Sequence, residues 1–99
     1  MAAVVFHRLA SRELSAATAW YSERSVDTQV RFRRSILHAV DRIASDPLAH
    51  PNIASGPYRY VRVRQFPYVL IYRMRTDGVA FVVAVAHTSR RPEYWRRRK

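Results

Sequence analysis

The stretch YRYVRVRQFPYVLIYRMRTDGVAFVVAVAH, residues 58–87, decides the fold. Its hydrophobic period is two. Val61 and Val63 alternate with Tyr60, Arg62 and Arg64, so one face of this strand is apolar and the other basic. Phe66-Pro67 interrupts the alternation. Tyr68 to Met74 forms the next strand, and Thr76-Asp77-Gly78 has the residue chemistry of a hairpin turn. Val79 to His87 is the most apolar segment, which predicts a central strand.

Upstream of Tyr58 the period is helical. Ala3 to Phe6 is short, apolar and β-branched, and reads as a first strand. A helix is expected to begin between Leu9 and Ser11, with Leu14, Ala17 and Tyr21 on one face, and to end near Glu23. Ser25-Val26-Asp27 is a short turn, with Ser25 or Asp27 as the next cap. Val30, Ile36, Leu37, Val40, Ile43 and Ala44 mark a longer second helix, in which Phe32, Ile36, Val40 and Ile43 share a stripe. Asp46-Pro47 stops it. So tight a connection predicts an antiparallel helical hairpin. Pro47 to Pro57, with three prolines and a glycine, is a loop. The order β-α-α-β-β-β predicts an α+β domain: an antiparallel-rich four-stranded sheet with the helical hairpin on one face.

The chain has 99 residues, 48% of them hydrophobic, enough for one core, so residues 1–99 are read as a single domain. There is no cysteine, which excludes disulfides, thiolate nucleophiles and cysteine metal sites and fits a cytoplasmic protein. Met1 to Phe6 is too short for a signal peptide, and Val79 to Ala86 is too short to cross a bilayer as a helix. Two glycines cannot build a phosphate-cradling loop, and no His/Asp/Glu spacing points to a metal. Neither cofactor nor metal is expected.

The net charge is +11 and is unevenly placed. Residues 1–57 hold seven Arg and five acids, a balance of +2; residues 58–99 hold ten Arg, one Lys and two acids, a balance of +9. Arginine forks suit carboxylates and phosphates, so the partner is expected to be an acidic protein or a nucleic acid. Arg59, Arg62 and Arg64 are expected to crowd against Arg73 and Arg75 of the neighbouring strand, at a cost that an anionic visitor would relieve. His87 ends the central strand and is followed by Arg90, Arg91, Tyr94 and Trp95. A histidine so placed is a possible general acid or base, but a structural or binding role is the favoured reading. Tyr94 and Trp95 read either as stacking platforms or as a cover for the core edge. The tail from about residue 88, ending in Arg96 to Lys99, is expected to fray.

In this order and in so short a chain, several pieces together resemble the RelE/ParE superfamily of toxins from bacterial type II toxin–antitoxin systems, from about Phe6 to Tyr94. They are Leu14 with Ala19-Trp20-Tyr21, Phe32 and Ile36, Arg62 to Tyr68 with Ile71-Tyr72, Ala84 to His87, and Arg90 to Trp95. The resemblance implies a growth-arresting toxin silenced by an antitoxin whose C-terminal segment wraps around it. One branch of the superfamily cleaves mRNA in the ribosomal A site without a metal; the other, ParE-like, poisons DNA gyrase. Arg62 or Arg64, His87 and Tyr94 fall where the nuclease branch carries catalysis. Yet the loop from Pro47 to Pro57 lacks the lysine or glutamate that branch tends to place there. Phe66-Pro67-Tyr68, His87 and Arg90-Arg91-Pro92 look closer to ParE-like toxins. The expectation is therefore a gyrase poison with no catalytic residue of its own. The alternatives are a RelE-type mRNA endonuclease acting with the ribosome and a non-toxic nucleic-acid-binding module. Antitoxin or target is expected to meet Arg59, Arg62, Arg64, Arg73, Arg75, His87, Arg90, Arg91, Tyr94 and Trp95. The cognate antitoxin is expected to be acidic and to form a hetero-oligomer with the toxin, away from any membrane.

Overall fold

A computed structural model describes all of residues 1–99. The elements are β1 (Val4–Phe6), α1 (Arg8–Ser22), α2 (Val26–Ser45), β2 (Arg59–Val63), β3 (Tyr68–Met74) and β4 (Ala80–His87). The predicted order holds. The sheet runs β1-β4-β3-β2, with β1 parallel to β4 and the other pairs antiparallel, so β4 is central. No helix is long and apolar enough to cross a membrane.

Element boundaries follow local chemistry. α1 starts at Arg8, ahead of the expected window, because His7 caps it: its Nδ1 accepts the Leu9 amide N–H at 2.9 Å. Histidine is not among the usual cap residues, so Ser11 drew the expected boundary inward. Ser25 caps α2 by accepting the Thr28 amide. Gly78 takes φ +83° in the β3–β4 turn, where Asp77 accepts from the Val79 amide and the Arg75 guanidinium.

The helices cover one face of the sheet. Phe32, Ile36 and Ile43 of the predicted α2 stripe are buried, with Ala10 and Ala17 of α1, against Val61, Val63, Leu70, Tyr72, Val82 and Val85. Val30 and Leu37 remain exposed on the far side of α2. Tyr21, Phe32, Phe66 and Tyr68 pack ring to ring at 4.9–5.6 Å where both helices meet the β2–β3 turn. The other face has its own smaller core of Tyr58, Ile71, Val83, Ala84, Ala86 and Trp95. A register shift pairs Ile71 with Ala84 and Tyr72 with Val82, which leaves Val83 as a bulge. The extra residue reverses the alternation, so Val85 and His87 face the helices together with Ala80 and Val82.

The tail does not fray. β1 ends opposite Val82, so β4 has no neighbouring strand along that edge from Val83 onward. Two side chains take the strand's place. Glu13 of α1 accepts the Val85 amide N–H at 3.0 Å, and Arg98 donates to the Val83 carbonyl at 3.0 Å. Arg98 also clasps Glu13 through both guanidinium nitrogens at 2.8 and 3.0 Å, and Tyr94 donates to the same carboxylate at 2.6 Å. The Arg98 and Glu13 side chains are only 13% and 16% exposed, so water screens this pair far less than a surface one. Trp95, at 2% exposure, locks the tail into the smaller core against Tyr58.

Replacing Arg98 by Ala leaves the Val83 carbonyl without its donor and removes two of the four hydrogen bonds to Glu13, an expected loss of about 2 kcal/mol. Urea denaturation should show it, and an unchanged midpoint would contradict the clamp. Burial pushes the Tyr72 phenol, whose OH donates to the Pro47 carbonyl, up to about 12. Below pH 10, the ordinary tyrosine value, both folded and unfolded chains keep that proton. Between about 10 and 12 only the folded chain keeps it, so stability falls as pH rises. The decline measured by urea titration at pH 9.5 and 11.5 should be shallower in Tyr72→Phe.

Candidate functional site

The five arginines expected to crowd on the sheet are dispersed. Arg59 sits opposite Tyr72, and its guanidinium donates to the His50 carbonyl at 2.6 Å. Arg75 is held by Asp77 at 2.7 Å. Arg64 lies past the end of β2, beside the Gln65 left-handed turn (φ +69°), in a groove with Arg31, Arg34 and His38 of α2. Arg62 and Arg73 share the face opposite the helices but stand four β3 positions apart in register, about 13 Å. Arg73 lies over the Phe81 ring at 5.1 Å. The cause is parity. Arg59 and Arg62 are three residues apart, so alternation sends them to opposite faces.

A different group converges. His87, at the end of β4, borders two clefts. The first, about 490 Å³, lies between α1 and the ends of β3 and β4, walled by Ala16, Trp20, Tyr21, Tyr68 and Val85. Trp20 is half exposed there. The second, about 480 Å³, lies on the opposite face of the sheet. Its floor is Ile53, Tyr60, Val69 and Ile71, and its rim carries Arg62, His87, Arg90 and Arg91. Arg90 also borders both clefts. An apolar floor rimmed by guanidiniums suits a peptide segment that offers apolar side chains flanked by carboxylates.

The orientation of His87 is fixed locally. Its ring stands edge-on to Tyr68 at 5.1 Å, and its Nδ1 accepts the Ser89 amide N–H at 3.1 Å. The amide N–H donates to Nδ1, and the Ser89 hydroxyl lies 2.7 Å from the same nitrogen. Ser89 thus engages Nδ1 within the chain, and Nε2 is the ring nitrogen left open. The Thr88 amide donates to the Pro67 carbonyl and the Arg90 amide to the His87 carbonyl, which sets the direction of the tail.

Tyr94 is half-buried, with Arg90 at 4.0 Å and Arg98 at 5.1 Å from its ring. Burial and then its bond to Glu13 raise the phenol far above its ordinary value, so it is a poor proton donor. Trp95 is core, which removes it from the surface available to a partner. The residues that sequence reasoning missed are Glu13 and Arg98. They lie 85 positions apart with no local motif to join them. Trp20 entered only as part of a resemblance. No three His, Asp or Glu side chains converge to hold a metal ion.

Core and rim should separate under mutation. Trp95→Ala is expected to cost about 3–5 kcal/mol, whereas Arg91→Ala stays within about 0.5 kcal/mol. Equal urea midpoints for the two would contradict this division.

No individual curated protein matches the chain significantly. The family model described as the ParE toxin of the type II toxin–antitoxin system, parDE, matches residues 4–92. That span runs from the first residue of β1 through Arg90 and Arg91, so it takes in every strand, both helices and the basic rim. The chain belongs to the ParE toxin family of type II toxin–antitoxin systems.

Proposed function

We propose that this toxin arrests growth by binding DNA gyrase and trapping it on DNA, and that an acidic antitoxin segment silences it. One observation carries the choice of binding over catalysis: the basic rim lacks a free proton-transfer pair. His87 Nδ1 is engaged by the Ser89 amide, and Tyr94 is committed to Glu13. Of the two arginines a ribonuclease reading offers, Arg62 borders the cleft with His87 and Arg64 stands with α2. Arg62, Arg90 and Arg91 are exposed and form no ion pair within the chain. They are therefore open to carboxylates of a partner.

The antitoxin is expected to place carboxylates against Arg62, Arg90 and Arg91 and apolar side chains against the floor between them. Truncating one side of a desolvated charge pair costs about 2–5 kcal/mol of binding. His87 orients the rim through Ser89 and Arg90, so its loss weakens binding with no chemical step to remove.

The test uses purified toxin on two substrates. With gyrase and plasmid DNA, the wild type should accumulate cleaved DNA–gyrase complexes, and Arg90→Glu/Arg91→Glu should reduce them at least tenfold. With translating ribosomes, mRNA should stay intact. A-site cleavage by the wild type, lost by about 10²–10⁴-fold in a His87→Gln variant that melts normally, would overturn this proposal in favour of a RelE-type nuclease.

A further inference from the structure

The outer face of α2 carries a basic surface that the gyrase reading does not use. Arg31, Arg34 and His38 follow at helical spacing, Ser35 lies among them, and Arg64 and Gln65 approach from the β2–β3 turn. Together they line a groove of about 320 Å³ with no hydrophobic residue in its wall. Arg31, Arg34, His38 and Arg64 are all exposed, and none is in an ion pair. The only side-chain bond among them is from Arg31 to the Thr28 hydroxyl at 3.2 Å. Asp27 and Asp41 lie on the same helix, but neither lines the groove. Three fixed positive charges are thus gathered without a counter-charge, in the less basic half of the chain for two of them. An anion from outside would lower their mutual repulsion.

The chemistry of the wall selects the anion. A protein-binding groove needs an apolar centre, and this one has none. Single-stranded nucleic acids are held on aromatic platforms, and no aromatic residue is present here beyond the His38 imidazole. Duplex interfaces are polar and strongly positive. Arg31 to His38 spans about 10 Å of helix, long enough for its side chains to reach more than one phosphate of a strand. We propose that Arg31, Arg34, His38 and Arg64 form a binding site for the phosphodiester backbone of duplex DNA, separate from the rim around His87. The contact reads no sequence, because guanidiniums on phosphates position a duplex without reporting its bases. It needs neither gyrase nor antitoxin.

The experiment is fluorescence anisotropy of the purified full chain with a labelled 20-base-pair duplex, from about 50 to 200 mM salt. Wild type is compared with Arg31→Gln/Arg34→Gln and with Arg8→Gln/Arg12→Gln. The second pair removes the same charge from exposed positions of α1. The patch variant should lose about 1.8 from the salt slope, so wild-type affinity falls about 12-fold more across that range than the variant's. The α1 variant should keep the wild-type slope. Equal slope changes in both variants would reduce the effect to net charge and overturn the site. Single-stranded RNA of the same length bound as tightly as the duplex would also overturn it. So would polyglutamate bound more tightly than the duplex through the same two arginines, since that marks a surface for an acidic protein. Circular dichroism melts of all three proteins should coincide.

Discussion

The carboxylate of Glu13 joins α1, the central strand and the C-terminal tail at one point. It accepts from the Val85 amide of β4, the Tyr94 hydroxyl and both arms of Arg98. The need for it arises from strand length. β1 offers only three residues to β4, so the central strand of the sheet would otherwise end as an open edge. An unpaired buried amide costs about as much as a lost hydrogen bond, and an open edge invites other strands. Glu13 and Arg98 close that edge with side chains, one accepting and one donating, two residues apart on β4.

Order in the tail follows from this closure. With Arg98 and Tyr94 fixed to α1, Trp95 seats in the smaller core and the chain from Thr88 to Glu93 must turn sharply, with Glu93 left-handed at φ +61°. That path holds Arg90 beside Tyr94 and sets Arg90, Arg91 and Arg62 around one apolar floor. The basic rim is therefore a consequence of packing at the β4 edge. It also explains how a small toxin keeps exposed guanidiniums in a stable arrangement: Arg62, Arg90 and Arg91 are left unpaired, while Arg98 and Arg96 are consumed by Glu13 and Glu93. The α2 surface is independent of this path, since Arg31 and Arg34 sit on α2 and Arg64 at the β2–β3 turn.

Much of the fold was legible because it rests on periodicity and local chemistry. The change of period near Tyr58, Gly78 in the turn and the apolar run ending at His87 specify β2, β3 and β4 almost to the residue. The site was legible only in part. His87, Arg90, Arg91 and Arg62 do gather, but Arg59, Arg64, Arg73 and Arg75 go elsewhere. Residue spacing along one strand reveals parity; it does not reveal a bulge such as Val83, which reverses the faces beyond it. Nor does any local pattern couple Glu13 to Arg98. A run of four basic residues at a chain end looks solvated, and only the three-dimensional position of α1 shows that one of them is nearly buried.

The edge closure is tested most directly by hydrogen exchange at the Val85 amide, followed by NMR. No strand reaches this amide on its outer side, so Glu13 alone shields it. Strong protection of Val85 in the wild type, comparable with that of Leu70 and Ala84, is predicted, together with its selective loss in Glu13→Ala while Leu70 and Ala84 stay protected. Rapid exchange of Val85 in the wild type, or protection that survives removal of Glu13, would contradict the account.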